Sequence, residues 1–299
     1  MQIGYVGLGA MGGALARRLL REHSLVVFDI NHAAVAQFEK AGAAGAFSGA
    51  DLAGKCDVIM MCLPRSSDVR AAIFASGGLA EGLSANKILI DQTSGNPDET
   101  FEMAEQLARQ DVLMLDAPVS GGIRGAEAGT IAIMASGPKA AYEQVLSILN
   151  SISPNVDYCG NRIGNAQALK SINNAMNAGC RLATLEVVAM GKKMGLSLET
   201  MTEVLNKGSG RNRTSQIRLP AMLQGKRSSD FAMALMLKDV NLAVELGLKC
   251  RAPMLVTNVV RALLQVGINT LGEAAQIDEI VQLIETMAAT RIIERAETA

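Results

Sequence analysis

The 299 residues carry 28 basic and 29 acidic side chains, a net charge of −1 without a block of like charges, which excludes the electrostatic footprint of a nucleic-acid binder. The composition is 49% hydrophobic but 3% aromatic with no Trp, so the core must be built from Ala, Leu, Ile, Val and the 16 Met. Two histidines are too few for a histidine-based triad or a His-rich metal site, and five irregularly spaced cysteines without a CxxC pair read as free thiols; no metal is expected.

Two domains are the default for this length. The N-terminus opens on a strand pattern with no basic segment ahead of it, and no run of about 18 uncharged apolar residues occurs, so the reading is a soluble, cytoplasmic protein with no membrane partner. Apolar runs at 3–6, 25–28, 58–62, 88–90, 112–115 and 131–135 alternate with helical patterns. Such runs, mostly free of polar residues, predict a mostly parallel sheet covered on both faces, an α/β doubly wound Rossmann domain over 1–161. Strand signals then stop. Residues 163–194 contain no Pro and predict one long helix. Further helices are predicted over 198–206, 233–248, 253–265, with Pro253 in its first turn, and 276–295; 208–226 is the least regular stretch. Residues 162–299 thus read as an all-helical substrate and oligomerisation domain joined by the long helix.

Gly7, Gly9 and Gly12 form GLGAMG directly between the first strand and a helix pattern. The first glycine permits the tight turn, the second lets backbone approach a pyrophosphate, and the third lets helix and strand pack. Gly7, Leu8, Gly9, Ala10, Met11 and Gly12 are therefore the predicted phosphate cradle at a helix N-terminus. Asp29 follows the second strand, 20 residues beyond Gly9, where a carboxylate accepts from the adenosine ribose hydroxyls. It would repel a 2′-phosphate, and Ile30, Asn31 and His32 supply no arginine to receive one, so NAD is predicted over NADP.

Two loops, 63–66 and 93–97, fall at carboxyl ends of strands, where ligands bind in such sheets; equally, Pro64 and Pro97 can start helices, with Ser94 and Asn96 as caps. DAPVSGGIRGAEAGT, beginning at Asp116, places Ser120 ahead of Gly121 and Gly122, as an anion-binding nest or as a flexible hairpin connection. In GNAQALKSINN, Lys170, Asn173 and Asn174 share one helical face and can grip a small polar molecule; the alternative is a solvated surface lysine.

The ordered set GLGAMG, DAPVSGGIRGAEAGT, GNAQALKSINN and Lys238-Asp239 resembles the β-hydroxyacid dehydrogenase family, which includes 3-hydroxyisobutyrate dehydrogenases, tartronate semialdehyde reductases and 2-(hydroxymethyl)glutarate dehydrogenases. The resemblance implies that Lys170 is catalytic, that Ser120, Gly121 and Gly122 bind the substrate carboxylate, and that Asn173 and Asn174 orient lysine and substrate. It also implies cofactor contacts from Leu63, Pro64 and Ser94, with Lys238 near the nicotinamide. The chain departs from the family in having Ala166 for a frequent glycine, and Thr93-Ser94 for the more usual Ser-Thr. The implied reaction is hydride transfer between NAD and a small 3-hydroxy acid, or its semialdehyde or keto form, with Lys170 as acid and base; Arg124, Arg211 and Arg213 are candidates for a second acidic group, and Phe231 for closing the nicotinamide pocket. The alternatives are an imine reductase, which usually lacks the lysine, and a non-catalytic NAD-binding assembly module. Family members form dimers or tetramers, and the apolar helices after 163 predict a homodimer or homotetramer.

Overall fold

The computed structural model describes residues 1–293. The chain divides into two compact units, Met1–Lys170 and Ser171–Ala299. The division falls inside the helix Asn165–Lys193, whereas the sequence reading places it ahead of that helix, at 161/162.

In the first unit β1 (Ile3–Val6), β2 (Leu25–Phe28), β3 (Ala44–Gly45), β4 (Val58–Met61), β5 (Ile88–Asp91) and β6 (Leu113–Asp116) form a parallel sheet ordered β3-β2-β1-β4-β5-β6. Successive side chains of a strand point to opposite faces. Tyr5, Met60 and Ile90 pack with Leu15 and Val145 on one side, while Val6, Ile59 and Leu89 pack with Leu52 and Ile73 on the other. With both faces dry, β1, β2, β4, β5 and β6 must be unbroken apolar runs, and this is why five of the six strands are visible in the sequence. The strand order reverses between β1 and β4, the place where open α/β sheets bind ligands.

A second sheet holds β7 (Val119–Ser120), β8 (Ala132–Ala135) and β9 (Val156–Tyr158), with β7 antiparallel and β9 parallel to β8. The run predicted at 131–135 belongs here and not to the parallel sheet. Strands β3, β7 and β9 escape the sequence pattern because each spans only two or three residues, too few for a run to register.

The second unit is helical, with Leu198–Lys207, Met233–Lys249, Leu255–Leu271 and Ile280–Ala288 packing Met233, Met236, Val240, Leu264 and Ile280 into one core. Pro253 is not in a first turn: its helix starts at Leu255 with Met254 as N-cap, so the proline fixes the chain ahead of the cap. The irregular stretch contains a π turn, Thr214–Arg218, with Thr214 and Ser215 fully buried. The helix predicted over 276–295 begins as a 3-10 turn, Ile277–Glu279, and its regular part ends where Ala289 turns left-handed; Glu294 and Arg295 lie outside the described residues.

Candidate active site

Gly7 adopts φ +89°, and a Cβ there would stand 2.4 Å from the Cys62 carbonyl oxygen at the end of β4. At Gly12 a Cβ would lie 2.0 Å from the Gly7 carbonyl oxygen, so the third glycine is what lets the helix Ala10–Leu19 close on β1. Gly9 differs from both. A Cβ there would meet nothing within 4 Å, so the space over its backbone is open, and as N-cap it brings no side-chain oxygen to compete for the first-turn N–H groups. Asp29 is tied to this loop: Oδ2 accepts from the Leu8 N–H at 2.6 Å and Oδ1 from the Asn31 N–H at 2.7 Å. Each oxygen keeps lone-pair capacity for a ribose hydroxyl. Ile30 is exposed and Asn31 caps the helix His32–Lys40. The open glycine backbone and the held carboxylate fit a dinucleotide. Gly12→Ala is expected to raise the dissociation constant for NAD at least about tenfold, read by quenching or calorimetry, because the added methyl forces the phosphate loop off the helix start.

The neighbouring loops interlock. The Leu63 N–H donates to Thr93 Oγ1 at 3.0 Å and the Asn96 N–H to Ser66 Oγ at 2.8 Å. Asn96 caps the helix Pro97–Ala108 with Pro97 in its first turn, as one of the two sequence readings has it, whereas Pro64 precedes the Arg65 N-cap of Ser66–Phe74. Ser94 lies between Thr93 and Gly95, both of which bond to Gln167.

Asp116, at the end of β6, is fully buried and acts at a distance in sequence. Its Oδ1 accepts from the Gly164 N–H at 2.9 Å, its Oδ2 from the Gln167 N–H at 2.9 Å, and Ser136 Oγ, which donates to Asp116, accepts from the Ala166 N–H at 2.9 Å. These are the orphan donors at the start of the helix carrying Lys170. Gly164 is required there, with φ +92° and a Cβ position 2.8 Å from the Pro97 carbonyl oxygen. A glycine cannot cap with its own side chain, so strand-end side chains supply the cap. Burial pushes the Asp116 carboxyl above the ordinary aspartate range, against the pull of the Ser136 hydroxyl and the Gly164 and Gln167 amides. Asp116→Asn turns one acceptor into a donor facing an N–H, and unfolding should become easier by about 1–3 kcal/mol, read as a lower Tm.

The glycine pair behind Ser120 is strained in the sense only glycine accepts, Gly121 at φ +146° and Gly122 at φ +75°. It opens the short helix Gly122–Ala128, and a Cβ on Gly122 would meet nothing within 4 Å. Arg124 is exposed on this helix instead of lying in a loop. Lys170 is buried, 9% exposed, one turn beyond Gln167; it is not a solvated surface lysine.

In the second unit Asn174 is buried and donates through Nδ2 to Asp239 Oδ2 at 2.5 Å, while its Oδ1 accepts from Asn173 Nδ2 at 3.1 Å. Lys238 Nζ stands 3.2 Å from Asp239 Oδ1. Arg211 and Arg213 are exposed; the arginines that matter to packing are Arg181 and Arg218, which share Asp278 at 2.7 and 3.3 Å. Phe231 packs partly buried against the helical core. The site residues that the sequence reading passed over are Asp116 and Gln167. Gln167 carries a signal, a polar side chain three residues before Lys170 on the same helical face; Asp116 carries none beyond its place in the glycine-rich motif, since its partners lie far off in sequence. Among the described residues no group of three or more His, Cys, Asp or Glu is placed to hold a metal ion, and no helix is long and apolar enough to cross a membrane.

Comparison with known proteins matches residues 2–160 to the NAD binding domain of 6-phosphogluconate dehydrogenase and residues 164–284 to the NAD-binding domain of NADP-dependent 3-hydroxyisobutyrate dehydrogenase. The chain is 35% identical over 260 residues, 86% of each protein, to 2-(hydroxymethyl)glutarate dehydrogenase of Eubacterium barkeri. It is 30% identical to the mitochondrial 3-hydroxyisobutyrate dehydrogenase of Homo sapiens over 85% of this chain and 77% of that one. The crystal structure of 3-hydroxyisobutyrate dehydrogenase from Salmonella typhimurium aligns at a TM-score of 0.81 and 25% identity, over 95% of this chain and 99% of that one.

Proposed function

The chain belongs to the β-hydroxyacid dehydrogenase family, NAD(P)-dependent enzymes acting on the CH–OH group of hydroxy acids, and from that premise we propose that it interconverts a small 3-hydroxy acid and its semialdehyde or keto form with NAD, Lys170 serving as acid and base. The observation that carries the reading is a buried lysine side chain one helical turn past a glutamine that is bonded to the loop leaving β5, at the ligand-binding edge of the sheet.

NAD, when bound, supplies the hydride acceptor; the residues that would hold it are the loop Gly7, Leu8, Gly9, Ala10, Met11 and Gly12, with Asp29, Ile30 and Asn31 at the ribose, and Leu63, Pro64, Ser94 and Lys238. The protein's share is positioning and proton transfer. Ser120, Gly121 and Gly122 receive the substrate carboxylate on backbone donors that left-handed glycines can present. Lys170 takes the hydroxyl proton as the carbinol carbon is oxidised, and returns it to the carbonyl oxygen in reduction. Asn173 and Asn174 orient the lysine and the substrate, the Asn174 amide being held in one orientation by Asp239.

Preference for NAD rests on Asp29, whose charge opposes a 2′-phosphate. Assembly into a homodimer or homotetramer is supported by Ile172, Met176, Val187 and Met190 along Asn165–Lys193 and Met194 directly after it, 48–71% exposed. Five free thiols suit a reducing compartment such as the cytoplasm. The test is NADH formation at alkaline pH over panels of 3-hydroxy acids, 2-hydroxy acids and simple alcohols, with NAD and NADP in parallel. Turnover confined to 3-hydroxy acids and faster with NAD supports the reading; turnover of the other classes alone, or faster with NADP, contradicts it.

A further inference from the structure

We infer that Gln167 is a positioning residue for Lys170, setting the register of the lysine's helix against the loop that leaves β5; this rests on the assignment of Lys170 as the acid and base. Gln167 is fully buried. Its Oε1 accepts from the Gly95 N–H at 2.8 Å and its Nε2 donates to the Thr93 carbonyl oxygen at 2.8 Å. One side-chain amide thus bridges the two peptide groups flanking Ser94, supplying the donor and the acceptor of that fork, which an ionised carboxylate cannot do. The loop is in turn fixed to its surroundings by Thr93 Oγ1 on the Leu63 N–H and by Ser66 Oγ on the Asn96 N–H. Gly95 leaves no slack, since a Cβ there would lie 2.7 Å from Ser66 Oγ.

On the helix side, the Gln167 N–H is itself clamped by Asp116 Oδ2, so neither the backbone nor the side chain of this residue can slide along the loop. Lys170 follows three residues later, on the neighbouring position of the same helical face. The Asp116 cap holds the helix end, whereas the Gln167 side chain measures the lysine's position from the loop proposed to contact the cofactor. A buried amide used in this way is a register device and not a filler, because an apolar side chain of equal size would strand an N–H and a carbonyl.

Gln167→Met and Gln167→Glu test this, with 3-hydroxyisobutyrate, or whichever 3-hydroxy acid of the panel turns over fastest, as probe. For Gln167→Met, kcat per NAD-binding site should fall about 30–100-fold, the scale of a small misplacement of a catalytic group. The dissociation constant for NAD should stay within a few-fold, and the deuterium isotope effect on kcat should rise as hydride transfer becomes limiting. Gln167→Glu loses the donor to Thr93 when ionised and regains it when protonated, so its kcat relative to the parent enzyme should climb as pH falls toward the carboxyl range, about 4.3 and somewhat above; the methionine variant should show no such climb. A structural role would lower the fraction of NAD-binding sites while leaving kcat per site and the isotope effect unchanged, and that result overturns the inference. So does a glutamate variant whose relative kcat is flat with pH. Failure of the underlying assignment reads differently: Lys170→Met would then keep its turnover, whatever Gln167 does.

Discussion

Lys170→Met is expected to lower kcat for a 3-hydroxy acid by roughly 10²–10⁴-fold, the usual worth of a positioned acid or base. The substitution keeps the apolar stem and removes the ammonium, so the buried site stays filled and the helix keeps its length. NAD binding and Tm should change little, because the cap by Asp116 and Ser136 and the bonds of Gln167 do not pass through the lysine head group. The loss should fall on kcat and kcat/KM together, the signature of an interaction made in the transition state. Turnover within a few-fold of the parent, with fold and NAD affinity intact, removes lysine from the mechanism.

The second large effect concerns the cofactor. Asp29→Ser combined with Ile30→Arg should move the ratio of kcat/KM for NAD over NADP by about 10²-fold or more toward NADP. Two unit charges some 4 Å apart interact by about 4 kcal/mol near a protein surface, and the double change both removes a repulsion and adds a cation. Ile30 is 90% exposed beside the ribose-side carboxylate, so an arginine there costs no packing. Asp29→Ser alone weakens NAD as well, since Leu8 and Asn31 lose the acceptor that fixes the loop. A parent enzyme already faster with NADP, or a double variant whose ratio does not move, rejects the role given to Asp29.

What the sequence makes legible follows from period and spacing. β1, β2, β4, β5 and β6 are buried on both faces, and an apolar run is the direct consequence. The glycines of GLGAMG are set by close backbone approach, as Gly7 and Gly12 show, and such approach demands glycine at fixed spacing. The long helix is likewise visible because no residue between 163 and 194 breaks it. The misses have another origin. Strand β7 is two residues long, Leu255 and not Pro253 starts its helix, and the buried arginines are Arg181 and Arg218, the latter carried by a turn whose π geometry no spacing rule announces. Asp116 and Gln167 act on partners 48–74 residues away, and contacts of that kind leave no local period. The second unit shows the same limit: Asn174 is readable as an amide near a lysine, but its hold on Asp239, 65 residues on, is a property of the folded helices.

The most direct measurement follows the hydrogen itself. A 3-hydroxy acid deuterated at the carbinol carbon is incubated with NAD and either the parent enzyme or Lys170→Met, and the reduced nicotinamide is analysed by mass spectrometry. One deuterium should be transferred by the parent enzyme, and the rate of transfer should be lower by at least about 10² in the variant. Reduced nicotinamide without deuterium, no transfer from any 3-hydroxy acid, or equal transfer by the variant would contradict this mechanism.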